Sequence, residues 1–114
     1  MSVAVDLDSL RARIGEMGDL VFLLTAGQGG PHVVAVAPQW EGGVFVMGAG
    51  RTTAANAGAR PQVTLLWPGA DLGAYSLIVD GTATTSEDGA LRVTPTSAIL
   101  HKYAGAEGHD CAPI

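Results

Sequence analysis

The chain has 114 residues, which is the size of one domain. Because 47% of its residues are hydrophobic and only 15% are charged, its composition is not that of a disordered acidic protein. Six lysines and arginines against eleven acids give a formal net charge of -5 at pH 7. This balance argues against sequence-independent nucleic-acid binding, which needs clustered cations for the phosphates. Only two Trp, two Tyr and two Phe are present, so the core must consist mainly of Val, Leu, Ile and Ala. A domain with so few large side chains often depends on a partner chain or a ligand for further burial.

The single cysteine and the lack of a targeting signal in the sequence fit a reducing compartment. Cys111 is the only cysteine, which excludes a disulfide within the chain. The sequence shows no basic start with an apolar segment, and no apolar run of about 18 residues. We therefore expect a soluble, cytoplasmic protein with no membrane partner.

The first half of the chain predicts one helix followed by strands. Leu7, Leu10, Ile14 and Met17 recur at helical spacing, which predicts a helix over 7–17 as the main feature of residues 1–18. The predicted strands are 20–25, 31–40 and 44–47, joined by glycine turns at 28–30 and 41–43 into an antiparallel meander.

The second half predicts a short helix followed by three more strands. Residues 51–59 are rich in Ala, begin with capping hydroxyls and stop before Pro61, which predicts a helix. Gly81 predicts a bulge or bend in the longest strand, and Pro95 predicts an edge or bulge in the last strand. The composition of residues 104–114 predicts a loose tail. The predicted strands are 62–67, 75–85 and 91–101, six in all with those above, which favours a nearly closed barrel in a single domain over 1–114.

Most catalytic patterns are missing from the sequence. His32, His101 and His109 show neither HxxxH nor HxH spacing, and one cysteine cannot form CxxC, so no metal site is predicted. No GxSxG nucleophile turn is present either. We interpret His32 as a surface or strand-end imidazole and His101 as structural.

One segment has the residues of an anion site. Gly48-Ala49-Gly50 precedes a helix that begins Arg51-Thr52-Thr53. Free helix N–H groups, two hydroxyls and a guanidinium could together hold a phosphate. The alternative is that the threonines cap the helix and Arg51 is solvated. The GxxxxGK[ST] lysine and the third glycine of GxGxxG are missing, so a nucleotide-binding fold is not predicted.

Two segments and their spacing resemble those of a known family. The first is the helix that ends Asn56-xxxx-Pro61 before Val63-Thr64-Leu65-Leu66, and the second is Asp80-Gly81-Thr82-Ala83. In this order, over about residues 20–103, the chain resembles the pyridoxamine 5'-phosphate oxidase-like flavin-binding split β-barrels. The resemblance implies a mainly β fold, a six-stranded antiparallel split β-barrel with an N-terminal helix and one short helix between strands 3 and 4. It also implies a homodimer with the cofactor, FMN or in some actinobacterial branches F420, at the interface.

The resemblance also implies where the cofactor binds. In the family the isoalloxazine lies against the strands before the short helix, and the phosphate lies against the start of that helix. The corresponding residues here are Pro38, Gln39 and Trp40 on the second strand, Val46, Met47 and Gly48 on the third, Arg51, Thr52, Thr53 and Asn56 at the helix start, and Ser76 on a later strand.

The helix start departs from the family pattern. Many members carry a serine and, two positions later, a phosphate-binding lysine, but these positions are Arg51 and Thr53 here. Arg51 can supply the charge, because a guanidinium suits phosphate. The missing lysine is equally compatible with weak FMN binding, another cofactor or none.

Three functions follow from the resemblance. The first is a small flavin-dependent oxidoreductase of unknown substrate, with F420 as the alternative cofactor; the flavin would carry the redox chemistry. The second is a non-catalytic carrier or store of flavin, F420 or haem, and the third is a barrel kept for its dimer interface. Without the long C-terminal strands of full oxidases, oxidation of pyridoxamine phosphate is not expected. Trp40, Trp67 and Tyr75 either contact a ligand or anchor the core or dimer.

Overall fold

The fold is known from a computed structural model that describes residues 2–69 and 74–102. Within these residues the chain forms eight strands and two α-helices, and strands dominate. The elements in chain order are β1 (Ser2–Val5), a 3-10 turn (Leu7–Ser9), α1 (Leu10–Gly15), β2 (Val21–Gly27), β3 (Gly30–Val36), β4 (Gln39–Glu41), β5 (Val44–Met47), α2 (Arg51–Ala59), β6 (Gln62–Trp67), β7 (Ser76–Thr85) and β8 (Leu91–His101).

All strands belong to one antiparallel sheet that rolls up without closing. Its order is β3-β2-β6-β7-β8-β5-β4, and β1 also pairs with β8. A flat sheet would place the end strands β3 and β4 roughly 29 Å apart, six strand spacings. Only Ala37 and Pro38 join these strands, and so short a link spans at most about 11 Å. The sheet must therefore curl, and within residues 2–69 and 74–102 no ladder closes the seam between β3 and β4.

The core lies on the inner face of this curled sheet. Buried and partly exposed side chains alternate along β6, where Val63, Leu65 and Trp67 are buried. Such alternation is expected of a strand with one face on the core. Phe45 and Leu23 are among the largest side chains with almost no exposure, at 1% and 0%. The described elements thus share one hydrophobic core.

Several predicted elements are confirmed. α2 and β6 have the predicted bounds, and β7 and β8 differ from prediction by a residue at most. The bulge predicted at Gly81 is present as a register shift between Asp80 and Gly81, opposite Pro95. A Cβ at Gly81 would stand 2.6 Å from Val93 Cγ1, so only glycine fits against β8.

The predicted count of six strands and the predicted meander are wrong. The segment 31–40 forms two strands, β3 and β4, that separate at Ala37 and Pro38. Proline has no N–H to donate to a ladder and restricts the residue before it, which explains the break. The halves lie at opposite ends of the sheet order, so β3 and β5 are not neighbours.

The N-terminal prediction is also corrected. Residues 1–18 do not form mainly a helix, because Ser2–Val5 is a strand on β8, and the predicted helix over 7–17 is a 3-10 turn followed by the short α1. The Asp6 side chain accepts a hydrogen bond from the backbone N–H of Asp8 and so caps the turn. The predicted tail 104–114, with His109 and Cys111, lies outside the described residues. No helix among the described residues has the length and hydropathy to cross a membrane.

Candidate functional site

The short helix α2 is fixed on the sheet by polar contacts. Asn56 Nδ2 donates to Thr25 Oγ1 of β2 at 3.2 Å, and both side chains are buried. Arg60 Nε, just past the helix, donates to the Ala26 carbonyl at 2.6 Å. These bonds hold the face of α2 that carries Thr53 and Asn56 against the inner side of β2 and leave Arg51 and Thr52 exposed.

A groove of about 390 Å³ lies beside α2, between its first turns and the hairpin of β2 and β3. We call it the α2 groove. Its lining residues are Gly27, Gln28, Gly29, Gly30, Pro31, His32, Thr52 and Asn56.

The hairpin needs glycine at Gly27 for its own two strands to fit together, while Asn56 of α2 lies at ordinary contact distance. A Cβ at Gly27 would stand 2.8 Å from the Gly30 carbonyl oxygen and 3.5 Å from Asn56 Nδ2. Gly29, at the hairpin tip, has no atom within 4 Å of such a position. One glycine therefore permits close packing, while the tip stays open to a ligand.

His32 is the lining residue that sequence analysis missed. It pairs in register with Thr25, so both side chains point to the inner side of the sheet. The imidazole is half-buried, and its Nδ1 is buried without a hydrogen-bond partner among the described residues. The interpretation as a surface or strand-end imidazole is thus corrected in part: His32 lies near the start of β3, but its side chain is half-buried. The signal was available: His32, Val34 and Val36 alternate on one face, so the histidine shares the core-facing side of β3.

A second cavity of about 490 Å³ lies between α1 and one end of the barrel. We call it the aromatic cleft. Trp40 meets Phe45 edge to face at 4.9 Å between ring centroids, and Phe45 meets Trp67 at 5.6 Å. Such pairs stabilise the cleft wall beyond their area burial. The lining residues are Ile14, Gly15, Gly18, Asp19, Val21, Ala37, Pro38, Trp40, Phe45 and Trp67.

The residues predicted to bind the cofactor are divided between these two cavities. Thr52 and Asn56 line the α2 groove. Pro38 and Trp40 line the aromatic cleft. Trp67 also lines the cleft, but it is 2% exposed and belongs to the core. Within one protomer the two predicted groups therefore line separate cavities.

The other predicted residues lie outside both linings. Met47 and Thr53 are buried, whereas Gln39, Gly48 and Arg51 are exposed. Arg51 forms no hydrogen bond or ion pair with any described residue.

Val46 and Ser76 are both half-buried. Val46 pairs with Arg92 on the outer side of the sheet. The Ser76 hydroxyl donates to the Pro68 carbonyl at 3.0 Å, which ties the start of β7 to the end of β6. Tyr75, next to Ser76, has the Lys102 ammonium 5.8 Å from its ring centroid.

The titratable groups give neither cavity an evident metal centre. Among residues 2–69 and 74–102, no three His, Cys, Asp or Glu side chains gather where they could hold a metal ion. A hydrogen bond from the Ser86 hydroxyl, followed by one from the Ala90 N–H, lowers the pKa of Asp88. That carboxylate belongs to the β7–β8 turn and not to a cavity.

Comparison with known proteins gives two relatives over nearly the whole chain. The chain is 34% identical to the uncharacterized protein Mb0449c of Mycobacterium bovis, with 94% of this chain and 92% of that protein covered. The uncharacterized protein MT0457 of Mycobacterium tuberculosis gives the same identity and the same coverage. No protein-family model matches the chain.

Solved structures share the fold at low sequence identity. A FAD-binding protein from Mesorhizobium loti aligns with a TM-score of 0.68 and 13% identity, over 88% of this chain and 96% of that one. A FAD-binding protein from Mycobacterium smegmatis aligns with a TM-score of 0.59 and 16% identity, over 90% of this chain and 100% of that one. A pyridoxinephosphate oxidase family protein from Clostridium acetobutylicum aligns with a TM-score of 0.56 and 13% identity, over 86% of each chain. The chain therefore shares its fold with these three proteins.

Proposed function

Because this chain belongs to the same family as the mycobacterial proteins Mb0449c and MT0457 and has a flavin-binding fold, we propose that it is an FMN-binding protein acting as a small oxidoreductase. The observation that carries the proposal is the α2 groove, which brings hydrogen-bond donors to the start of a helix. A flavin bound there supplies hydride-transfer chemistry, and the protein binds and orients it.

The phosphate fits the start of α2. The first hydrogen bond of the helix runs from the Ala54 N–H to the Gly50 carbonyl at 2.9 Å. The N–H groups of Arg51, Thr52 and Thr53 therefore have no partner within the helix, and Gly50 has no side chain to cap them. Free N–H groups at a helix start bind anions. Thr52 adds a hydroxyl from the groove lining, and the exposed Arg51 adds a positive charge.

The isoalloxazine ring needs protein contacts beyond those at the phosphate. We assign these contacts to the residues implied by the family resemblance on the strands before α2 and on β7. They are Pro38, Gln39, Trp40, Val46, Met47, Gly48 and Ser76. Because the α2 groove and the aromatic cleft have separate linings in one protomer, we propose that a second copy of the chain completes the site.

The outer side of the sheet supports such a homodimer. Phe22, Leu66, Ile78 and Ile99 are register partners on four adjacent strands and are all half-buried. We call them the outer row. Val33, on the same side at the end strand β3, is 53% exposed. An apolar row across a sheet is the kind of surface that a second subunit covers.

The test is direct binding to purified protein. The proposal expects a yellow protein, or a colourless one that binds added FMN and quenches its fluorescence. FAD and F420 are titrated in parallel, because F420 is the alternative cofactor. Protein that binds none of the three contradicts the proposal. Reduction of the bound flavin by a nicotinamide, followed by reoxidation by an acceptor, distinguishes an oxidoreductase from a carrier.

A further inference from the structure

The two nitrogens of His32 lie in different environments. Nδ1 is buried and has no hydrogen-bond partner in the described part of the chain. Nε2 forms no hydrogen bond with the described residues either, but unlike Nδ1 it is not fully buried. Because His32 lines the α2 groove, its free nitrogen is available there.

This asymmetry selects one form of the imidazole. A proton on Nδ1 would place an N–H in the interior with no acceptor, and a doubly protonated ring would add a charge. The proton therefore belongs on Nε2, with the bare Nδ1 lone pair inside. Buried polar atoms without partners are uncommon in folded proteins and call for an explanation. Here the explanation is that the buried nitrogen sets the tautomer and makes Nε2–H a donor aimed at a ligand.

The neighbouring polar groups leave the Nε2 donor to an external acceptor. Asn56 Nδ2 is already bonded to Thr25 Oγ1, the register partner of His32. Thr52, across the groove, lies in the first turn of α2. None of the described lining residues is an Asp or Glu that would accept from the imidazole. A donor that no described residue accepts from, next to a helix start, suits an anionic oxygen.

We propose that His32 is a binding residue for the cofactor phosphate, donating from Nε2 as a neutral imidazole. This inference rests on the proposed FMN binding. In this arrangement the neutral His32 on β3 completes the phosphate site, whose helix start has Thr53 in place of a lysine.

The test uses two substitutions that mimic different imidazole nitrogens. The amide of glutamine reaches the position of Nε2, whereas the shorter asparagine reaches only that of Nδ1. We expect H32N to weaken FMN binding about tenfold, the usual effect of losing a hydrogen bond to a charged group. We expect H32Q to stay within about threefold of the original protein. Riboflavin, which lacks the phosphate, should bind all three proteins equally well.

The outcomes separate this inference from the proposed function. Original protein that binds FMN, with H32N binding it equally well, overturns the role of His32 alone. Equal weakening of FMN and riboflavin by H32N also overturns it, because the effect would not involve the phosphate. Failure of the original protein to bind any flavin or F420 contradicts the proposed function itself.

Nitrogen-15 NMR of the imidazoles gives a readout that needs no cofactor. The His32 signals, assigned by their loss in H32N, should show protonated Nε2 and bare Nδ1 in the free protein. Titration with inorganic phosphate should then shift the Nε2 signal. A proton on Nδ1, or no shift at saturating phosphate, overturns the proposal.

Discussion

At the scale of single residues, one buried amide decides where α2 lies. Asn56 is 7% exposed and Thr25 is 4% exposed, and their side chains bond to each other across the junction of helix and sheet. The contact also sets one wall of the α2 groove, since Asn56 is a lining residue. A structural bond and a candidate binding surface therefore share the same side chain.

Replacing Asn56 should loosen this junction. N56A leaves the Thr25 hydroxyl buried without its partner, so we expect the free energy of unfolding to fall by about 1–3 kcal/mol in urea titrations. The substitution T25V serves as the second arm of a double-mutant cycle. If the bond carries the effect, the double variant loses less than the sum of the two single losses. Strict additivity would contradict the assignment.

Arg51 tests the charge at the helix start. The side chain is exposed and unpaired among the described residues, so its removal should leave the fold intact. If it contacts the phosphate, R51A weakens FMN binding by about 1–3 kcal/mol, as measured by fluorescence quenching. The matched control is R11A, which removes an exposed arginine from α1. Unchanged affinity in R51A would remove Arg51 from the phosphate site.

At the scale of elements, glycines mark where two backbones meet closely. Gly81 sits at the β7–β8 bulge, and a Cβ there would stand 2.7 Å from the Thr94 carbonyl oxygen as well as against Val93. Gly58, on the exposed side of α2, has nothing within 4 Å of the same position. A methyl group added at Gly81 would therefore clash with β8, whereas one added at Gly58 would enter open space.

Alanine at these two glycines should shift stability in opposite directions. G81A forces β7 and β8 apart, and we expect a loss of about 1–3 kcal/mol in the free energy of unfolding. G58A adds a better helix former in open space, and we expect a gain of about 0.5–1 kcal/mol. Thermal and urea unfolding measure both. Equal unfolding midpoints for the two variants would contradict the packing described at the bulge.

The elements also show what sequence can and cannot predict here. α2 was predictable within its bounds because two of its signals are local: Ala-rich sequence within it and Pro61 after it. The predicted hydroxyl cap is wrong, because the N-cap residue is Gly50 and no side chain caps the helix start. The break at Pro38 was visible in principle, but where the two halves pair depends on contacts distant in sequence. β1 was missed because its four residues gain their structure from β8.

The candidate site was predictable only in part for the same reason. The helix start at Arg51–Thr53 was singled out from its residue types. The role of His32 required the register of β3 on β2, which places it beside Asn56. Residue types therefore indicated one wall of the groove, and tertiary pairing supplied the other.

At the scale of the whole molecule, the short supply of aromatic residues shapes both faces of the barrel. Trp40, Phe45 and Trp67 form one cluster at the end of the barrel. The rest of the inner face is filled mainly by aliphatic side chains. The outer row remains only half-buried in one protomer. A second subunit on this side would supply the burial that a chain of this size and composition lacks.

A lysine in the outer row tests that arrangement. I78K would bury an unpaired charge at the centre of the proposed interface, so we expect dimer association to weaken by about a hundredfold or more, measured by analytical ultracentrifugation. V33K, at a more exposed position of the same side, should weaken association less, and because Val33 is exposed this lysine should not disturb the fold. A12K adds the same charge to the exposed side of α1 and should leave the dimer intact. A monomeric original protein, or a dimer insensitive to both outer-side lysines, would mean that this side of the sheet is not the interface.

If the second copy also completes the cofactor site, I78K should weaken FMN binding in parallel with dimer loss, while A12K changes neither FMN binding nor the dimer.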